Sequence, residues 1–193
     1  MASNPVSKLT EEQYLAIERA AEFRSEFIDG EMFAMAGGLN RHGLIQGNLF
    51  GELYVALRGG ACRPFGSDSR VRVSSQAYVY PDITVVCGRQ RTGDEDDDIL
   101  VNPVSIFEVL SPSTEKYDRG LKFHLYRSID SLKDYVLLDQ EQVRVEQFTR
   151  RPDGTWTFRD YQRPDEELKI DSIGVAIPLL RIYDQVDIQP ATD

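Results

Sequence analysis

Leu44/Ile45, Leu49, Leu53 and Leu57 recur three to four residues apart, which predicts a helix over about residues 42–58. Gly47 and Gly51 fall inside it, either weakening it locally or letting another backbone approach. A shorter helix starts at Thr10, where Gln13 completes a capping box and Leu9 can staple to Tyr14; Tyr14, Ile17 and Ala21 supply its apolar stripe. Tyr117, Leu121 and Leu125 predict a third helix over residues 113–127. Other stretches follow the strand period. Residues 70–73 alternate, as a half-exposed strand does. Residues 77–87 and 104–110 are almost continuously apolar, as central strands covered on both faces are, and residues 135–139 add another such strand. Asp29-Gly30 between two apolar-rich arms predicts a hairpin over residues 26–36, and Pro152-Asp153-Gly154 predicts a second, joining 143–150 to 155–161. Residues 168–170 and 175–180 add edge structure. Residues 89–98, ending in Asp94-Glu-Asp-Asp-Asp98, read as a solvated loop, and the chain after Asp187 as a frayed tail. The order of elements predicts an α/β or α+β fold with a mixed β-sheet flanked by helices and an extra antiparallel hairpin.

Composition narrows the picture. A chain of 193 residues predicts one domain, with a core over about residues 9–183. It can bury roughly 70% of its extended-chain surface, so it needs no structural metal or disulfide to fold. Cys62 and Cys87 form no CxxC pair or Cys/His cluster, so neither a disulfide framework nor a zinc site is expected. The start lacks an apolar signal core and no apolar run is long enough to span a membrane, so a reduced, soluble, cytoplasmic protein is expected. The net charge of −10 excludes the global attraction of a tight, non-specific nucleic-acid binder. It leaves room for a metal-dependent enzyme acting on nucleic acid, because the metal brings its own positive charge.

Two of the apolar strands carry a carboxylate where a core strand wants none: Asp82 in Val79-Tyr-Pro-Asp82-Ile-Thr-Val-Val86, and Glu108 in Val104-Ser-Ile-Phe-Glu108-Val-Leu110. An unpaired carboxylate in a dry sheet is costly, so each must be neutralised, paired, or left at an open strand end. Alternation places Glu108 with Ile106 and Leu110, and Asp82 with Tyr80 and Thr84. On neighbouring strands the two acids could converge on Mg²⁺, which takes one or two carboxylates, keeps several waters and accepts phosphate oxygens. Either acid alone is better explained by solvent or an arginine partner. Asp118, Lys122 and Tyr126 fall at i, i+4 and i+8, on one helix face. By spacing alone they suit a surface ion pair beside a half-buried tyrosine.

Tyr80-Pro81-Asp82, then Phe107-Glu108-Val109-Leu110-Ser111-Pro112-Ser113-Thr114, then Tyr117-Asp118-Arg119-Gly120-Leu121-Lys122-Phe123, resembles the Uma-type (Uma-two) family of endonucleases, within the PD-(D/E)XK restriction-endonuclease-like superfamily. The resemblance runs from about Leu9 to Leu180 and includes Glu26-Phe-Ile-Asp-Gly-Glu31, Arg41-His42 and Ser67-Asp68. It implies a restriction-endonuclease-like core in which Asp82 and Glu108 bind Mg²⁺ (or Mn²⁺), with nucleic acid, DNA foremost, as substrate. A homodimer is a further implication, since related nucleases pair to cut both strands. The superfamily lysine would fall two residues after the glutamate, where this chain has Leu110; Lys122 on the following helix is the matching position. Lys122 would orient the attacking water, with Tyr126 supporting a phosphate or the metal shell.

Other candidates have two readings each. Glu26 is the upstream acid that completes such sites or a hairpin surface charge; Glu31 is the weaker ligand candidate. Asp68 is a third acid at the metal or a turn residue bonding its own backbone. His42 contacts a phosphate, serves as a base, or is an ordinary helix-start residue. His124 points to a different face from Lys122. Arg63, Arg70 and Arg72 form either a phosphate-binding patch or a solvated strand face. No phosphate-cradling glycine loop, GxSxG or HExxH occurs, and Ser111 and Ser113 have no identifiable base. Two rival functions stand beside a nuclease: a catalytically inactive module that binds protein or nucleic acid, and a glycosidase using Asp82 and Glu108 as an acid–base pair. The single Trp gives the glycosidase little sugar-binding platform.

Overall fold

The computed structural model describes residues 8–35, 38–93 and 96–188. Helix α1 (Glu11–Ala20) opens on the expected capping box at Thr10. Its buried side carries Tyr14 and Glu18, whereas Ile17 is 45% exposed, so the expected Tyr14–Ile17–Ala21 stripe is corrected. Tyr14 and Glu18 are one turn apart and face the first sheet together, where Glu18 accepts hydrogen bonds from the Ser25 N–H and the Tyr80 hydroxyl. Strands β1 (Ser25–Ile28) and β2 (Glu31–Ala34) form the predicted hairpin, with Asp29 and Gly30 both at positive φ, as a two-residue turn of this hand requires.

Six strands build the first sheet in the order β2-β1-β5-β4-β8-β7, adding β4 (Arg70–Ser74), β5 (Ala77–Val79), β7 (Thr92–Gly93) and β8 (Asp96–Leu100). Six more build the second, in the order β12-β11-β10-β9-β6-β3. These are β3 (Cys62–Gly66), β6 (Ile83–Cys87), β9 (Ser105–Leu110), β10 (Asp134–Asp139), β11 (Val145–Arg150) and β12 (Trp156–Tyr161). Pairs β9–β10 and β4–β8 are parallel, so both sheets are mixed. Strands β13 (Glu167–Ile170) and β14 (Val175–Pro178) form the extra antiparallel hairpin.

Helix α2 (Asn40–Leu57) lays Ile45, Leu49, Leu53 and Leu57 on one face of the second sheet, against Phe107, Val109, Val136 and Leu138. The alternate strand residues Ile106, Leu110, Tyr135 and Leu137 pack on the other face with Tyr126. The core strands are therefore covered on both sides, as their continuous apolar pattern predicts. Among the described residues, no helix is long and apolar enough to cross a membrane.

Four further expectations are corrected. Residues 77–87 are not one strand: the chain leaves the first sheet after Val79 and joins the second at Ile83. Pro81 has no N–H to give a central ladder, so Tyr80-Pro81-Asp82 becomes the crossing between sheets, and Asp82 precedes its strand. The helix expected over 113–127 comes in three pieces: α3 (Glu115–Tyr117), a π-helical turn (Asp118–Lys122) and α4 (Phe123–Tyr126). Cys62 and Cys87 form a disulfide, because they stand directly opposite in the β3–β6 register. The acidic run does not stay a loop: Asp96 to Asp98 belong to β8, and Asp98 pairs with Arg70 at 2.9 Å, while residues 94 and 95 lie outside the described residues.

Candidate active site

The crossing at Tyr80-Pro81-Asp82 sits between the sheets, and both sheets send acids to it. Strand β9 presents Glu108, 3% exposed, toward the π turn. Its Oε1 accepts hydrogen bonds from Lys122 Nζ at 3.0 Å and the Tyr126 hydroxyl at 2.8 Å. Its Oε2 accepts from the backbone N–H of Asp82 at 3.2 Å, and Asp82 Oδ2 in turn accepts from the N–H of Val109 at 2.7 Å. This reciprocal pair of bonds locks the two carboxylates side by side at the meeting of β6 and β9. The other Asp82 oxygen, Oδ1, is hydrogen-bonded to His42 Nε2 at 3.1 Å, and the Gln46 amide holds the Asp82 carbonyl at 2.9 Å. Helix α2 thus fixes the crossing from one side.

Strand β1 adds Glu26, 5% exposed. It accepts from the Tyr80 N–H and the Tyr117 hydroxyl, and its Oε1 lies 3.1 Å from Lys122 Nζ. Asp118 stands 3.6 Å from the same ammonium. The π turn explains this convergence. Asp118, Lys122 and Tyr126 are buried while Leu121 is 44% exposed, so the helical stretch turns its charged line inward and its apolar line partly outward. That reverses the face implied by Tyr117, Leu121 and Leu125, and such π turns recur at functional sites.

One ammonium therefore serves Glu26, Glu108 and Asp118, with Asp82 adjoining. Burial pushes the Glu108 carboxyl up to about 8; Lys122 opposes the shift, and the neighbouring charges of Asp118, Asp82 and Glu26 add to it. Asp118 is likewise raised by burial against the pull of Lys122. Lys122 is desolvated, yet Glu108, Glu26 and Asp118 outweigh this and hold its ammonium charged. For His42, burial favours the neutral ring, but Asp82 and Asp118 prevail and raise its pKa.

The structure gathers Asp82, Glu108, Lys122, Glu26, His42 and Tyr126 at one place. It leaves out Asp68, whose side chain is 91% exposed in the β3–β4 turn and lies 3.8 Å from Arg24. The arginine patch is also corrected. Arg70 is buried under Tyr80 and Asp98, and Arg72 pairs with Glu11, so the alternating strand hides one arginine and engages another. Glu31 and His124 are exposed. By sequence, Asp118 suits no more than a surface pair, and nothing singles out Tyr117, Tyr80 or Gln46 for the site. For Asp118, the i+4 spacing to Lys122 was the available signal.

Two carboxylates present hard oxygen donors to the same space, which suits a small divalent cation. Among the described residues, no three His, Cys, Asp or Glu side chains are grouped to hold a metal by themselves. Mg²⁺ does not require three, since one or two carboxylates with retained waters and substrate oxygens complete its shell.

Two mixed sheets flanked by helices meet at the paired acids and the lysine, and the fold is of the restriction-endonuclease-like class. The Uma2 family, described as "Putative restriction endonuclease", matches residues 11–179, and the chain belongs to it. Two similar proteins come from Synechocystis sp. "Uncharacterized protein slr1290" is 37% identical over 183 residues, covering 94% of each chain. "Uncharacterized protein sll1609" is 33% identical over 162 residues, covering 83% of this chain and 92% of that one. The fold is also that of a crystal structure of "a putative nuclease belonging to DUF820" from Anabaena variabilis. That likeness has a TM-score of 0.74 at 18% identity, over 91% of this chain and 97% of the other.

Proposed function

We propose that this protein is a Mg²⁺- or Mn²⁺-dependent endonuclease that hydrolyses phosphodiester bonds of nucleic acid, DNA foremost. The observation that carries the reading is the charge balance of the site. Four carboxylates, Glu26, Asp82, Glu108 and Asp118, meet one fixed ammonium and one histidine. A divalent cation held by Asp82 and Glu108 would supply the missing positive charge, and would there lower the pKa of a water and offset charge on a scissile phosphate.

The chain's own groups do the rest. Tyr126 and Lys122 both donate to Glu108 Oε1, fixing the carboxylate so that Oε2 stays toward Asp82. Lys122, kept charged, can orient the attacking water and offset charge developing on the phosphate. His42, hydrogen-bonded to Asp82 Oδ1, would in its charged form give a proton to the leaving oxygen. A homodimer would bring two such sites to the two strands of a duplex.

The test is cleavage of plasmid, single-stranded DNA and RNA with Mg²⁺ or Mn²⁺. Asp82→Asn, Glu108→Gln and Lys122→Met are expected to lower the rate by about a hundredfold or more while remaining folded. Variants that cleave like the wild type would refute the assignment. Leu110, buried where the superfamily lysine would stand, favours a second reading as a catalytically silent binding module. That reading predicts nucleic-acid binding that Lys122→Met leaves intact, with no cleavage of any of the three substrates.

A further inference from the structure

Antiparallel pairing sets Phe33 of β2 directly opposite Glu26 of β1. Residues paired in this way project from the same face of the sheet. The Glu26 face is the one turned toward Lys122 and the Tyr117 hydroxyl. Glu26 is buried in that cluster, whereas Phe33, on the edge strand, is 47% exposed. The ladder continues one step: the Met35 N–H bonds the Arg24 carbonyl, so Met35 and Arg24 form the next opposed pair along. Met35 is also solvent-exposed, at 38%. Arg24 lies over the Tyr80 ring and forms a loose pair with the exposed Asp68 at 3.8 Å. Exposed pairs of this kind contribute little, so the guanidinium can exchange Asp68 for a phosphate.

A half-exposed aromatic ring, an apolar neighbour and an exchangeable arginine therefore border the acid–lysine cluster on one sheet edge. A stacked duplex hides the faces of its bases; an unpaired strand offers them to an aromatic ring while its phosphates meet cations. We propose that Phe33, flanked by Met35 and Arg24, is a stacking platform for an unpaired nucleobase next to the cleavage site, so that the protein prefers single-stranded or locally opened nucleic acid. This rests on the nuclease reading for the position of the phosphate and deepens it by naming the strand form taken.

The test is equilibrium binding of a single-stranded oligonucleotide carrying 2-aminopurine, against the same sequence as a duplex, with Ca²⁺ and again in EDTA. Wild-type protein is expected to quench the fluorophore and to favour the single strand. Phe33→Leu keeps an apolar side chain but is expected to weaken binding about tenfold and abolish quenching, whereas Phe33→Trp restores both. Arg24→Gln is expected to reduce the salt dependence by about one phosphate contact. Equal affinity for duplex, no quenching, or unchanged binding by Phe33→Leu would overturn the platform. So would a change in sedimentation coefficient with Phe33→Leu, which would make the patch a contact between copies of the chain. Quenching without cleavage in Mg²⁺ or Mn²⁺ would retain the platform and defeat the nuclease reading; cleavage without quenching would do the reverse.

Discussion

Glu108 is the hub of the buried cluster, accepting hydrogen bonds from Lys122, Tyr126 and the Asp82 N–H. Burial and three neighbouring acids raise its pKa to about 8, so in the metal-free protein the folded state holds a proton that the unfolded chain releases near 4.5. The stability it contributes is complete below pH 4.5 and is lost as pH rises to about 8. Glu108→Gln should therefore flatten the pH dependence of urea denaturation between pH 5 and 8. An unchanged slope would place that proton elsewhere. Metal binding should release a proton below pH 8, measurable as buffer-dependent heat. Lys122 has the opposite role, as the cation that makes three buried carboxylates tolerable. Lys122→Met should cost about 3–5 kcal/mol, because it leaves buried charge unpaired. Tyr126→Phe removes one hydrogen bond to Glu108 and should cost about 1–3 kcal/mol by the same denaturation measurement. These residues were legible in the sequence because a carboxylate in an apolar strand and a line of polar residues at i+4 both break a pattern. Glu18 was not, since its partner Tyr80 is 62 positions away and a helix glutamate breaks no pattern.

The elements divide in the same way. The hairpins and α2 were predictable because a turn dipeptide or a repeated leucine spacing is local information. The crossing at Tyr80-Pro81-Asp82 was hidden because β5 and β6 are both apolar, so 77–87 reads as one strand; only Pro81 marked the break. The π turn was hidden because 3.6-residue counting assigned Leu121 to the buried face. Strand β3 escaped notice with its pairing, and with it the Cys62–Cys87 disulfide, since two cysteines 25 residues apart announce no framework. This bond pins an edge strand of the second sheet to β6, which begins directly after Asp82. Reduction, or a Cys62→Ser, Cys87→Ser double variant, should lower unfolding free energy by about 3 kcal/mol, the entropy of closing a loop of this length. Denaturation with and without dithiothreitol checks it; coincident curves would show that β3 does not depend on the bond.

For the whole molecule, the decisive fact is an acidic chain with an acidic centre. A net charge of −10 and an acidic cluster at the centre repel a nucleic-acid backbone, so substrate binding should depend on a divalent cation and weaken sharply in chelator. By linkage, metal at a hundredfold above its Kd should add about 2.7 kcal/mol to stability. Fold class and the meeting of Asp82 with Glu108 were readable from the chain, while the balance of charge around them was not, because it arises from contacts across two sheets. The most direct measurement is calorimetric titration of Mn²⁺ into the wild-type protein and Asp82→Asn at pH 8, with circular dichroism confirming that both are folded. The account predicts saturable binding in the wild type that is lost in the variant. Absence of binding to the wild type, or identical isotherms for the two proteins, would contradict it.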